Sequence, residues 1–151
     1  MILAIDPGNE YSGYAVLDKK LKPVEFGKAP NNELYEKVEL WVNDWPAITQ
    51  LAIEMIASYG MPVGKEVFET CVVIGRIVQI AIKLPTQYIY RREEKINLCG
   101  SMKAKDANIR QALIDRFGPV GTKKNPGWFY GVAKDVWSAI AVGVTFHDTY
   151  E

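Results

Sequence analysis

The chain has 151 residues, of which 48% are hydrophobic and 24% charged, so it is long enough to bury a core as one domain spanning 1–151 and too rich in apolar residues for a disordered polyelectrolyte. No apolar run is long enough to cross a bilayer, no basic leader precedes an apolar core, and Cys71 and Cys99 form no CxxC pair; these features predict a reduced, cytoplasmic protein with structural thiols and no membrane partner. The formal net charge is zero but unevenly spread: residues 1–82 hold 7 Lys/Arg against 11 Asp/Glu, residues 83–134 hold 11 against 4, and residues 135–151 hold none against 3. The basic centre is either a solvated surface or a face for a polyanion.

In chain order, residues 2–6 and 12–18 read as strands joined by "DPGNEYSG", and "KPVEFGKA" (22–29) reads as a third. Asn31 and Asn32 stand where a helix N-cap belongs, and Leu34, Val38, Trp41 and Trp45 follow at helical spacing until Pro46. "TQLAIEMI" (49–56) is a buried fourth strand. Residues 65–83 form a long helix, apolar around much of its circumference through Val67, Phe68, Cys71, Val72, Ile74, Ile77, Val78 and Ile82. Such a helix is buried on more than one side, either as a core helix or as a two-fold dimer interface. "TQYIYR" (86–91) is a fifth strand, "REEKINL" a short helical turn, and "AKDANIRQALIDRFG" a helix with a Gly C-cap. A Gly/Pro-rich loop then leads to a final helix rich in small residues (133–150). Three antiparallel strands followed by helix-linked strands predict an α/β fold, a five-stranded mixed sheet flanked by helices in the ribonuclease H-like order.

Three acids occupy unusual positions. Asp6 ends the first strand, Glu54 lies inside "LAIEMIA", and Asp135 starts the last helix. Each has an ordinary explanation as a turn former or helix-start residue, except Glu54, because glutamate is seldom buried unpaired. With the first and fourth strands adjacent, Asp6 and Glu54 converge and the last helix adds Asp135. Clustered carboxylates stay ionised together only beside a cation. Oxygen donors without a His or Cys cluster suit Mg²⁺ or Mn²⁺. Two such ions about 4 Å apart activate a water and stabilise the leaving oxygen of a phosphodiester. The single His147 has no Ser or Cys partner for a hydrolase triad.

"MILAIDPGNEYSGYAVLD", "LAIEMIASYGMPVG" and "KDVWSAIAVG", in this order and at these distances, resemble the RuvC family of Holliday junction resolvases, especially its shorter phage and prophage relatives. The resemblance spans nearly the whole chain. It implies a homodimeric, Mg²⁺- or Mn²⁺-dependent endodeoxyribonuclease, with two ions, that nicks branched DNA in recombination and repair. Asp6, Glu54 and Asp135 match the family's metal-binding acids. The family's next acid, three residues on, is replaced by Ser138, and Asp148 lies too far along the helix to substitute. Lys95 matches a basic residue used near the scissile phosphate. A second family lysine falls at Asp106, with Lys105 beside it. The family's aromatic wedge falls at Ala57, with Tyr59 the nearest ring; Tyr59 is either that wedge or a loop tyrosine.

Arg91, Arg92, Lys95, Lys103, Lys105, Arg110, Lys123 and Lys124 are then the candidate DNA-binding cations. Trp128, Phe129 and Tyr130 either stack on unpaired bases or anchor the loop. Alternatives to a junction resolvase are a flap or fork nuclease, a ribonuclease H-like RNA-processing enzyme, or a catalytically degenerate nucleic-acid-binding module.

Overall fold

A computed structural model describes residues 1–151. Ten elements follow one another: β1 (Ile2–Asp6), β2 (Tyr11–Leu17), β3 (Pro23–Pro30), α1 (Asn31–Asp44), β4 (Gln50–Met55), α2 (Lys65–Ile80), β5 (Thr86–Tyr90), α3 (Arg91–Cys99), α4 (Asp106–Phe117) and α5 (Lys134–Tyr150). The sheet order is β3-β2-β1-β4-β5, with β1–β2 and β2–β3 antiparallel and β1–β4 and β4–β5 parallel. The expected five-stranded mixed sheet is therefore present, with strand limits within a residue or two of the sequence reading.

Period-two alternation splits the core between the two faces of the sheet. Leu3, Ile5, Val16, Leu51 and Ile53 face α1 and α2, while Ile2, Ala4, Ala15, Leu17 and Ala52 face α5. Small residues let α5 lie close on that second face. A Cβ at Gly143 would stand 2.5 Å from Leu17 Cδ1 and 3.0 Å from the Ala4 Cβ. Every residue from Ala139 to Phe146 is buried, which explains the small-residue composition of this helix.

Several local expectations change. Asn31 does not cap α1. Its side chain is buried and holds the β1–β2 turn: Nδ2 donates to the Gly8 carbonyl at 2.9 Å, and Oδ1 accepts from Ser12 Oγ at 2.7 Å. Ser12 Oγ in turn accepts from the Gly8 N–H at 3.1 Å. The buried demand for hydrogen bonds at this turn outweighs the helix-start preference. Helix α2 stops at Ile80 and is not buried all round. Thr70, Val73, Ile74 and Ile77 face the sheet, whereas Phe68 and Val72 are more than half exposed. Cys71 is exposed as well, and Cys99 is half-buried; both are free thiols. The charged "REEKINL" belongs to a nine-residue helix, α3, not a single turn.

The loop aromatics anchor rather than project. Phe129 is fully buried 4.7 Å from the Trp137 ring, and Trp128 stacks on Phe117 at 5.5 Å; Tyr130 alone of the three is exposed. Lys123 and Lys124 form the exposed tip of a tight hairpin closed by paired Thr122–Asn125 backbone hydrogen bonds.

Helices α4 and α5 are clipped together by Arg116, whose Nη1 and Nη2 donate to the two Asp148 carboxylate oxygens at 2.6 and 2.9 Å. The Arg116 hydrogen bond, helped by one from Asn97, holds the Asp148 carboxyl below its usual range. A depressed carboxylate stabilises the fold above its unfolded pKa, and that contribution is lost as pH falls through the folded value. Asp148→Asn is therefore expected to lower stability at pH 7 by ~1 kcal/mol at most, the scale of an exposed ion pair. In urea melts the gap to the unaltered chain should close below pH 3.8, the unfolded value; a gap that persists to pH 2 would show that the ion pair is not its cause.

Candidate metal and nucleic-acid site

Register places the first two acids. Ile5 of β1 is level with Ile53 of parallel β4, so the next residues, Asp6 and Glu54, stand side by side at the carboxyl ends of the two central strands. Both continue the alternation of Ala4 and Ala52 and so face α5. The carboxyl edge of parallel strands is where open α/β sheets bind ligands. Asp6 is also level with Gly13 of β2, and a Cβ at Gly13 would lie 2.4 Å from the Asp135 carbonyl oxygen. The missing side chain at Gly13 is what lets the first turn of α5 bring Asp135 to the same edge.

Electrostatics confirm the crowding. Burial, then the Glu54 charge and a hydrogen bond shared with Glu54, push the Asp6 carboxyl up to about 8; Arg91 opposes this and Asp135 adds to it. A second glutamate joins the group. Glu94, in the first turn of α3, is fully buried. Its carboxyl is held well above the usual range by burial first and then by Glu54. Arg91 is the cation among them, donating from Nη1 to Glu94 Oε1 at 3.2 Å and lying 3.9 Å from Glu54 Oε1. It also pairs with Asp106.

Asp135 is not folded into this group. Its carboxylate pairs with Lys28 Nζ at 2.7 Å, and no three acidic, His or Cys side chains make a closed chelating cluster. Asp6 and Glu54 meet, Glu94 joins them, and Asp135 stands alongside at the same edge, in one cleft with Asp6 and with its carboxylate paired to Lys28. The reason is charge balance, because carboxylates at this density take whichever cations are in reach. Lys28 and Asp135 are both substantially solvent-exposed, and such pairs are weakly held.

The donor set nevertheless suits a hard divalent cation. It consists of carboxylate oxygens, and two of them, Glu54 Oε1 and Glu94 Oε2, are buried without any hydrogen-bond partner. Asp6 and Asp135 share a cleft of ≈ 250 Å³ with the β1–β2 turn and Lys28. On the other side of Asp135 a groove of ≈ 680 Å³ runs past Ser138, Arg91, Asp106, Arg110 and Lys134. Ser138 therefore lies one turn beyond Asp135 in that groove.

The remaining sequence candidates separate into groups. Tyr59, Arg91, Arg92 and Lys95 line one small pocket with Met102, so the loop tyrosine and these α3 cations share one pocket. Tyr59 is exposed, with φ at 51°, in the left-handed region. Arg110 packs over Trp137, its guanidinium 5.1 Å from the ring. Lys103 and Lys105 are exposed, and Lys105 precedes α4, its N–H donating to Asn108 Oδ1 at 2.9 Å. Gly8 is explained by the turn itself: a Cβ there would stand 2.3 Å from the Tyr11 carbonyl oxygen.

Sequence reasoning missed Glu94 and Lys28. "RREEK" has the charge density of a solvated helix, and nothing in it says which charge turns inward. The available signal was position: α3 starts directly at the end of β5, beside β4, at the edge that carries Glu54.

No protein-family profile matches the chain, and no curated protein matches it in sequence. Solved structures do match. RuvC of Thermus thermophilus in complex with a Holliday junction substrate superposes with a TM-score of 0.72 at 13% identity, covering 97% of this chain and 91% of that one. A second T. thermophilus RuvC structure gives 0.67 at 15% identity, covering 97% and 92%. The fold is RuvC-like and of the ribonuclease H class.

Proposed function

We propose that the chain is a divalent-metal-dependent, structure-selective endodeoxyribonuclease that nicks branched DNA, with a four-way junction as its substrate. The observation that carries this reading is the apposition of Asp6 and Glu54 at the carboxyl edge of β1 and β4, with Asp135 alongside and a cation-lined groove leading up to it. The likeness to a RuvC solved on a Holliday junction supports the choice of substrate.

Asp6, Glu54 and Asp135 would hold Mg²⁺ or Mn²⁺. Bound there, such ions supply a water nucleophile at neutral pH and stabilise the leaving oxygen of the phosphodiester. The chain's own residues set the stage. Asp6 and Glu54 are fixed by the rigid centre of the sheet. Arg91 balances the carboxylates, and in this reading Lys95, Arg92 and Arg110 bear on the DNA phosphates, giving affinity and orientation rather than sequence choice. Lys103, Lys105, Lys123 and Lys124 extend the phosphate contacts outward, and Tyr59 meets the bases where a junction opens.

A junction has two strands to cut, so this reading requires two chains. Phe68 and Val72 on the outer face of α2 are the contact proposed for the second copy.

The test is a panel of four-way junction, flap, fork, linear duplex and RNA duplex substrates, each in Mg²⁺ and in Mn²⁺. Paired symmetric nicks in the four-way junction are the expected result. Preferential cutting of flaps or of RNA would reassign the substrate. Junction binding without cleavage in either metal would leave a binding module on this fold.

A further inference from the structure

We infer that Glu94 is a further carboxylate ligand of the divalent cation taken by Asp6 and Glu54, supplying from α3 the acid that α5 lacks at Ser138. This rests on the metal-dependent reading above and adds a residue to it. The backbone brings Glu94 there. In the β4–β5 register Glu54 is level with Ile89 and Met55 with Tyr90, and α3 starts at the very next residue. The first turn of α3 therefore lies beside Glu54, at the edge where Asp6 also ends.

Two observations separate Glu94 from an ordinary structural acid. Its side chain is completely buried, and its Oε2 has no hydrogen-bond partner, as is true of the buried Glu54 Oε1. An acid whose task was to hold Arg91 would need only the Nη1–Oε1 contact at 3.2 Å and would gain nothing from facing two other carboxyls. Three acids, Asp6, Glu54 and Glu94, share one guanidinium that is itself also paired with Asp106. The N-terminus of α3 adds only roughly half a charge. Ionised together, these three acids would outnumber the positive charge at this point by more than one unit. A divalent cation coordinated by the two orphaned oxygens removes both the charge imbalance and the unmet coordination.

Mn²⁺ binding to the full chain without DNA, followed by calorimetry and by Mn²⁺ electron paramagnetic resonance, tests this with Asp6→Asn and Glu94→Gln beside the unaltered protein. Glutamine keeps the length of the side chain and an acceptor for Arg91. Loss of an outer-shell partner alone weakens metal sites by ~10–100-fold, so Glu94→Gln is expected to weaken Mn²⁺ binding by at least ~10-fold. It should also raise the metal-free melting temperature, by relieving a buried like-charge contact, while shrinking the rise that Mn²⁺ produces. If Asp6→Asn weakens Mn²⁺ binding and Glu94→Gln leaves it unchanged, Glu94 is structural and the inference falls while the nuclease reading stands. If the unaltered chain binds no Mn²⁺, both fall. Glu94→Asp, which keeps the charge on a shorter arm, serves if the glutamine variant does not fold. Weaker Mn²⁺ binding by folded Glu94→Asp supports the inference, and unchanged binding overturns it.

Discussion

Asp6→Asn is expected to abolish strand cleavage, by at least ~10³-fold in rate, while junction binding is retained. The substitution replaces a carboxylate proposed as a metal ligand by a neutral amide, at the carboxyl edge where β1 and β4 lie side by side. A bound metal supplies several kcal/mol of transition-state stabilisation, and each ~1.4 kcal/mol is tenfold in rate. The phosphate contacts proposed for Lys95, Arg92 and Arg110 do not involve Asp6, so gel-shift affinity for a four-way junction should hold. The same variant has a stability signature of opposite sign. Burial and the Glu54 charge raise Asp6 from 3.8 to about 8. Between those values the folded state binds more protons than the unfolded state, so this group makes stability fall as pH rises across that window. In metal-free protein, Asp6→Asn should therefore melt higher than the unaltered chain at pH 8, with the difference vanishing near pH 4. Activity and stability moving in opposite directions would mark Asp6 as a functional acid; retained cleavage would remove it from the site.

Phe129→Ala is the largest stability loss expected from a single side chain outside the site. The ring is fully buried, packed against Trp137 of α5 at 4.7 Å and edge-on to Phe117 of α4 at 6.1 Å. Truncating a buried phenylalanine costs about 3–5 kcal/mol in transfer and cavity terms. At ~2–4 °C per kcal/mol for a domain of this size, the melting temperature should fall by roughly 6–20 °C. The loop from Gly118 to Ala133 is tied to the core through this residue, so limited proteolysis should also cut the variant first near Lys123 and Lys124. If the rings were base-stacking groups instead, Phe129→Ala would weaken junction binding at unchanged stability. Burial of the ring argues against that outcome.

The sequence carried the frame of the molecule well, and the reason is local. Alternation in "ILAID" and "YSGYAVL", the apolar run around Glu54 and the helical spacing of Leu34 and Val38 are each set within a few residues, and every one gave the element expected. Asp6 and Glu54 were legible as a pair because both follow from strand order and register. Asn31 was misread because its role depends on Ser12 and Gly8, which reach it only after the strands pair. Helix α2 read as either a core helix or a dimer interface, and periodicity alone does not choose between them: one face packs on the sheet, and Phe68 and Val72 are left uncovered within the single chain.

The chain's own residue pattern thus determined the mixed sheet, the carboxylates at its central edge and the uneven basic charge. Tertiary structure decided how the charges divide. Glu94 turns inward because α3 starts beside β4, and Asp135 turns to Lys28 because Gly13 lets α5 pass over β2 near the lysine on β3. Arg91, half-buried, is drawn in among the acids. Which charges face one another depends on elements far apart in the chain, and the cost of burying them is settled only when those elements meet.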